Sequence, residues 1–323
     1  MGDPRVHRVE VRRLSRGPVP NKRNCWSPGT WSSRARLPSG GLALAVSCLV
    51  AVLLAASGTV SARPLDEVRA SGELRVVVYD DNAPFSWTDA SGVVQGVDAD
   101  LARAIAGELG VKANLIARIA GEEVDDDLRS NIWQGPRTGG LVGDVMMHVP
   151  MERAFIARNP LVAISNAYYH EKIVLAVQAD AAVPAEPRSM LQPFRAAKLA
   201  VQFATVAHYY AMFADDGVYK TNINPYRKFE SAVAAFRSRE NVGLLGRRAQ
   251  IEAALKGIQG FKLVEPAFET ELRMAWTVGM AVKENSRDTG YAIGNALNAL
   301  LQRGEVAKIF ERHGLTHFPP PVP

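Results

Sequence analysis

Polar and β-branched residues alternate over residues 73–79, "ELRVVVY", which predicts a strand. The run after it, "DDNAPFSWTDASG", is broken by Pro84 and Gly92 and predicts a surface loop carrying Phe85 and Trp87. In "VDADLARAIAGELG" the apolar residues Leu101, Ala104, Ile105 and Leu109 recur at helical spacing. Asp98 stands at the expected N-cap, Asp100 in the first turn and Gly110 at the C-terminal stop. With a second strand in "VKANLIA", these segments make a βαβ unit and therefore an α/β lobe.

The acidic run "EEVDDDLRSNIWQ" is read as a helix start, because carboxylates there satisfy unpaired N–H groups and the helix dipole. A metal cluster is the competing reading, but no oxygen-ligand loop pattern follows. "VGDVMM" is then expected as a strand, "RAFIARN" as a short helix, "AISNAYY" as a turn and "EKIVLAVQ" as a long strand. A proline-rich connection, "ADAAVPAEPRSMLQP", precedes a second α/β set made from "KLAVQF", "TVAHYYAMFA", "ESAVAAFRSR", "VGLLG", "RAQIEAALKG" and "FKLVE". "MAWTVGMAVK" predicts a long returning strand. Two helices closed by Gly304 and Gly314 follow, their apolar sets including Tyr291, Ile293, Leu297, Leu300 and Leu301, then Val306, Ile309 and Phe310. The tail "FPPPVP" is expected to face solvent.

Two α/β sets joined by one outgoing and one returning long strand predict two lobes with a double crossover, a ligand cleft between them and hinge closure. The expected divisions are residues 63–174 with 272–323 for lobe 1 and 175–271 for lobe 2.

Charge changes the picture only at the N-terminus. The formal net charge is +5, yet nine of the 38 Lys and Arg residues and two of the 33 acids precede Arg63, leaving 29 basic and 31 acidic groups beyond it. The basicity belongs to a leader, so a nucleic-acid footprint is not supported. That leader has a long basic region, the 16-residue uncharged run "GLALAVSCLVAVLLAA" and a small-residue exit through Val60, Ser61 and Ala62. The layout is that of a secretory signal, residues 1–62, cleaved before Arg63. An uncleaved anchor is the competing reading, but the run falls short of the roughly 20 residues a spanning helix needs. Both cysteines, Cys25 and Cys48, lie in the leader. The exported chain would thus hold no disulfide, thiolate nucleophile, iron–sulfur cluster or covalent c-type haem.

The segments "GELRVVVYDDNAPFSW", "GVDADLARAIAGELG", "DVMMHVPMERA", "AYYHEKIVLAV", "LAVQFATVAHYY" and "LLQRGEVAKIFERHG" resemble the family-3 extracellular solute-binding proteins. The resemblance implies the type II periplasmic binding protein fold, two α/β lobes joined by a two-strand hinge, and a periplasmic location. Members that bind amino acids commonly follow the strand Asp with a Thr-x-x-Arg turn that holds the ligand carboxylate. Arg153 keeps the Arg position, while Pro150 replaces the Thr and offers neither hydroxyl nor N–H. The family's Gly-Thr-Thr helix start appears as Ala204-Thr205-Val206, leaving one hydroxyl at Thr205. Where an acid usually grips the ligand ammonium stands Gly246, followed by Arg247 and Arg248.

A narrower resemblance lies in "DDDLRSNIWQGPRTGGLVGDVMMHVPMERAFIARNP", "NVGLLGRRAQIEAAL" and the C-terminal run from Trp276. These look like the quinoprotein-dehydrogenase-associated binding-protein-like family, periplasmic proteins of methanol oxidation. That resemblance implies a non-catalytic accessory whose partners are a PQQ-dependent alcohol dehydrogenase and its c-type cytochrome. The alternative is the substrate-binding protein of an ABC importer for a small carboxylate or amino-acid-like solute.

Site candidates follow from chemistry. His148 beside Met146 and Met147 suggests a metal, but a lone imidazole supplies one ligand and no second histidine stands at metal spacing. On an alternating strand Met146 and His148 would share a face. Arg153 suits a ligand carboxylate, or equally a structural ion pair with Glu152 or a loop acid. Phe85, Trp87, Tyr168 and Tyr169 fall where this fold places cleft aromatics, with core packing as the alternative. No activated nucleophile, phosphate loop or dinucleotide fingerprint has the right spacing, so neither a catalytic residue nor a cofactor is expected.

Overall fold

The computed structural model describes residues 62–137, 139–186 and 190–321. Apart from Ala62, the expected signal peptide lies outside the described residues. Lobe 1 begins with α1 (Leu65–Ser71) and β1 (Glu73–Tyr79), then the short strands β2 (Asp81–Asn82), β3 (Ser86–Thr88) and β4 (Val94–Gln95). The chain continues through α2 (Val97–Glu108), β5 (Lys112–Arg118) and α3 (Val124–Leu128), which runs on as a π-turn over Arg129–Trp133. Next come β6 (Val145–Pro150), α4 (Arg153–Arg158) and the long β7 (Val162–Gln178). Lobe 2 holds β8 (Leu199–Gln202), α5 (Val206–Phe213), β9 (Ile223–Tyr226), α6 (Phe229–Arg237), β10 (Gly243–Arg247), α7 (Arg248–Ala254) and β11 (Phe261–Val264). The chain returns along β12 (Ala275–Lys283) to α8 (Arg287–Gln302) and α9 (Glu305–Arg312).

The main sheet is ordered β5-β1-β6-β12-β7-β10-β8-β9, with β11 also on β7. β1 pairs in parallel with β5 and β6, forming the βαβ core of lobe 1. β8 pairs in parallel with β9 and β10 in lobe 2. β7 joins the halves: residues 162–172 pair with β12, and residues 173–178 with β10 and β11. β7 and β12 are therefore the hinge strands. The strand passes residues 174–175, the expected lobe boundary, without a break.

Both faces of each half-sheet are covered, as strands buried on two sides require. In lobe 1, Leu74, Val76, Leu101, Ile105 and Phe310 fill one face, and Val77, Leu128, Ile132, Met146 and Phe155 the other. In lobe 2, Leu175, Phe194 and Val201 oppose Val174, Phe236, Leu244 and Ile251 across the sheet.

Asp98 does not cap α2. Gly96 holds that place at φ 113°, where a Cβ would lie 2.2 Å from Phe85 O, so only glycine lets the loop close on the helix. The first helical N–H groups are taken by Pro84 O and Phe85 O, leaving the Asp98 side chain to turn inward. The expected turn in "AISNAYY" is absent, because Asn166 at φ 56° and a register shift opposite Gly279 form a bulge that lets β7 continue. Strict alternation also fails on β6. Met146 opposes Ala281 and Val149 opposes Gly279, so two residues face Met280, and His148 sits at φ 61°. The bulge sends His148 to the side of Phe85, away from Met146.

Two further expectations are corrected. Tyr291 is exposed on α8 rather than part of its apolar set. The tail "FPPPVP" does not wholly face solvent: His170 N donates to Phe318 O at 2.9 Å, and the Arg248 guanidinium lies 4.4 Å from the Phe318 ring; just before it, Thr316 N donates to Glu252 Oε2 at 2.7 Å. At the opposite end, Arg63 is anchored on Asp144. Its Nε and Nη2 donate to the two carboxylate oxygens at 3.0 and 2.6 Å.

Candidate functional site: the interlobe cleft

Strand ends in open α/β sheets leave their terminal residues facing a crevice, which is where ligands of such folds bind. Here a cavity of about 290 Å³ collects those ends. Tyr79 comes from the end of β1, Asp81 and Asn82 from β2 just after it, and His148 and Pro150 from the end of β6. The loop before α3 adds Gly121 and Glu122, and α3 itself adds Val124 and Asp127. Trp276 and Val278 come from the hinge strand β12, and Arg247 from the end of β10 in lobe 2. A larger, mainly apolar cavity of about 460 Å³ is lined by Pro84, Trp87 and His313 on one side and by Phe229, Val233 and Ala253 on the other. It lies beside α6 and α7 rather than at the strand ends.

Hydrogen bonds lock the lobe 1 wall. Asp127 Oδ2 accepts from the Tyr79 hydroxyl at 2.9 Å and Oδ1 from Gly121 N at 3.0 Å, tying the loop to β1. Burial and the Asp127 charge both hold the Tyr79 hydroxyl far above its ordinary pKa, so it remains a donor. Beneath His148, the buried Asp98 accepts from the Tyr168 hydroxyl at 2.6 Å, and His148 Nδ1 lies 3.2 Å from Asp98 Oδ2 without lining up as a hydrogen bond.

Across the cleft, Arg247 Nη1 donates to Asn82 Oδ1 at 3.1 Å, a bond from lobe 2 to lobe 1. Burial works against the Arg247 charge, and the nearby Glu171 partly offsets it. Glu171 lies within the hinge. Burial raises its pKa, its Oε1 accepts from Lys172 N at 3.0 Å, and its Oε2 has no hydrogen-bond partner. An under-used guanidinium at the cleft thus has an under-solvated carboxyl near it in the hinge.

The sequence candidates are not brought together. Phe85, Tyr168 and Tyr169 are fully buried in the lobe 1 core, where Phe85 packs on His148 and Tyr169 on Phe310, so none presents a face to the cleft. Trp87 is half-buried, edge-on to His313 at 6.3 Å, and lines the apolar cavity instead. Thr205 caps α5: its hydroxyl donates to Gln202 O at 2.8 Å and accepts from His208 N at 3.3 Å. Arg153 is exposed at the first turn of α4 and does not line the cleft, while Glu152 pairs with Arg273. Among the described residues no group of three or more His, Cys, Asp or Glu side chains is placed to hold a metal.

Arg247, Asn82, Asp81, Asp127 and Tyr79 are the residues sequence reasoning missed. Arg247 carried a signal, since it directly follows the glycine standing where an ammonium-binding acid is expected. Asp127 was hidden among consecutive carboxylates that all read as helix-start acids. Two of the three do face outward: Asp125 pairs with Arg158 and Asp126 with Arg129.

Two α/β lobes, two hinge strands and a cleft at the strand ends define the periplasmic binding protein fold. Residues 74–132 match the sequence model of bacterial extracellular solute-binding proteins, family 3. Among solved structures, an ancestral cationic amino acid solute-binding protein is similar at 22% identity and a TM-score of 0.61, over 77% of this chain and 99% of that one. The L-cystine solute receptor of Neisseria gonorrhoeae, unliganded and open, is similar at 18% identity and 0.58, over 80% and 99%. The second substrate-binding domain of a putative amino acid ABC transporter from Streptococcus pneumoniae Canada MDR_19A gives 16% and 0.57, over 75% and 99%. No curated protein matches the chain. Among the described residues no helix is long and apolar enough to cross a membrane.

Proposed function

We propose that the chain is the solute-binding protein of an importer, taking a small carboxylate or amino-acid-like solute into the interlobe cleft and closing on it about β7 and β12. The observation that carries this reading is Arg247, a half-buried guanidinium lining the cleft whose hydrogen bond reaches the opposite lobe. Such a group rewards closure, because a bound carboxylate and lobe 1 meet it together. The similar solved structures include a cationic amino acid solute-binding protein and an L-cystine solute receptor. In this reading the protein binds and releases its solute without chemical turnover.

A thermal-shift screen of amino acids and organic acids tests it. A ligand present at 100 times its Kd should stabilise the protein by about 2.7 kcal/mol. A screen in which no such compound raises the melting temperature would refute the reading.

A second reading keeps the same fold in another role, as an accessory docking on a PQQ-dependent alcohol dehydrogenase and its cytochrome. Pro150 in place of the carboxylate-binding threonine and the exposed Arg153 favour it, since both depart from the usual amino-acid site. Dehydrogenase and cytochrome genes beside this one, with co-purification of the dehydrogenase, would support it. A neighbouring permease and ATPase without co-purification would sink it.

Either role places the protein outside the cytoplasm, with cleavage before Arg63. Arg63 N lies 3.2 Å from Asp144 Oδ1, so cleavage there would set the new α-ammonium against a buried carboxylate. N-terminal sequencing of exported protein should begin at Arg63; a mature chain that starts elsewhere rejects this site.

A further inference from the structure

Charge is unevenly shared across the cleft. Lobe 1 lines it with three carboxylates, Asp81, Glu122 and Asp127, while the charged lining group from lobe 2 is Arg247. The resulting field runs from one wall to the other and suits a molecule whose own charges are separated in the same sense.

Arg247 is under-used as it stands. A guanidinium carries five N–H donors in a planar fork. The bond to Asn82 uses one of them on a neutral amide oxygen. A carboxylate accepts two parallel charge-assisted bonds, each roughly twice as strong as a neutral one, and the remaining N–H groups can supply them beside the bond to Asn82. On the facing wall Asp127 is held rigidly by Tyr79 and Gly121, while Asp81 is exposed at the rim.

The geometry points to a zwitterionic amino acid bound with its carboxylate toward lobe 2, on Arg247, and its ammonium toward lobe 1, on Asp81 and Asp127. This rests on the solute-receptor reading above. It reverses the polarity that Arg153 and a lobe 2 acid would impose. Loss of the acid at Gly246 alone would only weaken the usual arrangement. Here a cation enters the cleft from the same strand end, Pro150 offers no hydroxyl, the Thr205 hydroxyl is spent on its helix, and Arg153 lies outside.

Calorimetric titration of the purified protein with the twenty L-amino acids, then with the C-terminal amide and the deamino acid of each binder, tests the assignment. At least one amino acid should bind, with both analogues weaker by about tenfold or more. Arg247→Gln should weaken the amino acid by roughly 30-fold and Asp81→Asn by roughly fivefold, while Arg153→Ala stays within about twofold. Circular dichroism melts check each variant's fold. If Arg247→Gln does not fold, the exposed Asp81→Asn carries the same test from the other wall. Binding lost in Arg153→Ala but kept in Arg247→Gln overturns the reversed polarity and leaves the receptor reading standing. A deamino acid that binds more tightly than its amino acid overturns the ammonium half, and with it the proposal. Silence from every amino acid, amide and deamino acid overturns the receptor reading itself for this class of solute.

Discussion

Replacing Asp144 by Asn removes one charge from a buried pair without opening a cavity, which makes it a clean measure of the N-terminal anchor. Asp144 is fully buried, whereas the Arg63 side chain keeps 11% of its exposure. The carboxylate accepts from Arg63 Nε, Arg63 Nη2 and Arg75 N at 3.0, 2.6 and 2.8 Å. The pairing holds the Arg63 pKa above its ordinary value, first through the hydrogen bond and then through charge. Breaking a fully buried pair costs about 3–5 kcal/mol. Arg63 also donates to Ser71 Oγ and Glu73 O, and its partial exposure lets water recover part of the loss. The expected cost of Asp144→Asn is therefore about 2 kcal/mol, or roughly 4–8 °C in Tm for a chain of this size. A thermal and urea cycle with Arg63→Met and the double variant isolates the pair, and its coupling should reach about 1.5 kcal/mol. A drop below about 0.5 kcal/mol, or strictly additive single effects, would refute the anchor.

Three other outcomes follow from the same structure. Burial lowers the pKa of His170, His208 and His317, so the unfolded chain takes up protons first as pH falls through about 6.5. Stability should be flat above that value and decline below it, and His317→Gln should reduce the acid slope seen in melts from pH 7 to pH 5; an unchanged slope removes His317 from the account. Gly96→Ala places a Cβ against Phe85 O at positive φ and should cost about 3 kcal/mol or prevent soluble expression, so a variant within about 0.5 kcal/mol of the parent would contradict the packing described. Truncation after Gly314 removes the His317 contact with Tyr168 O and the Phe318 contact with His170 N. Hydrogen exchange at His170 should then accelerate by at least about tenfold, and undiminished protection would mean the tail does not clasp the hinge.

Much of the fold was legible because periodicity reports burial. The βαβ start, the β7 and β12 crossovers and the helices of both lobes all carry apolar residues at the spacing their packing demands. What escaped was set by tertiary contacts that spacing cannot express. The β6 bulge depends on Gly279, more than 100 residues away along the chain, accepting the close approach of Met151 and Ser165 O. The strand "INPY" was missed because proline and asparagine weaken its local signal, yet as β9 it only has to pair along one edge, with β8. Phe318 is expected in solvent because a proline run follows it, yet its carbonyl and ring dock on His170 and Arg248.

The site was less legible than the fold for a related reason. Family patterns locate a functional residue by its position in a motif, but the cleft is defined by which strand ends meet. Arg153 holds a motif position and lies outside; Arg247 holds none and lies inside, on a strand end that lobe packing turns toward Asn82. A substitution such as Pro150 then acquires a physical meaning beyond loss of a hydroxyl. With no carboxylate anchor at the end of β6, a guanidinium at the end of β10 no longer duplicates one. In the reversed orientation proposed above it would supply the pole opposite the lobe 1 acids Asp81, Glu122 and Asp127, so the two departures are compatible when they occur together.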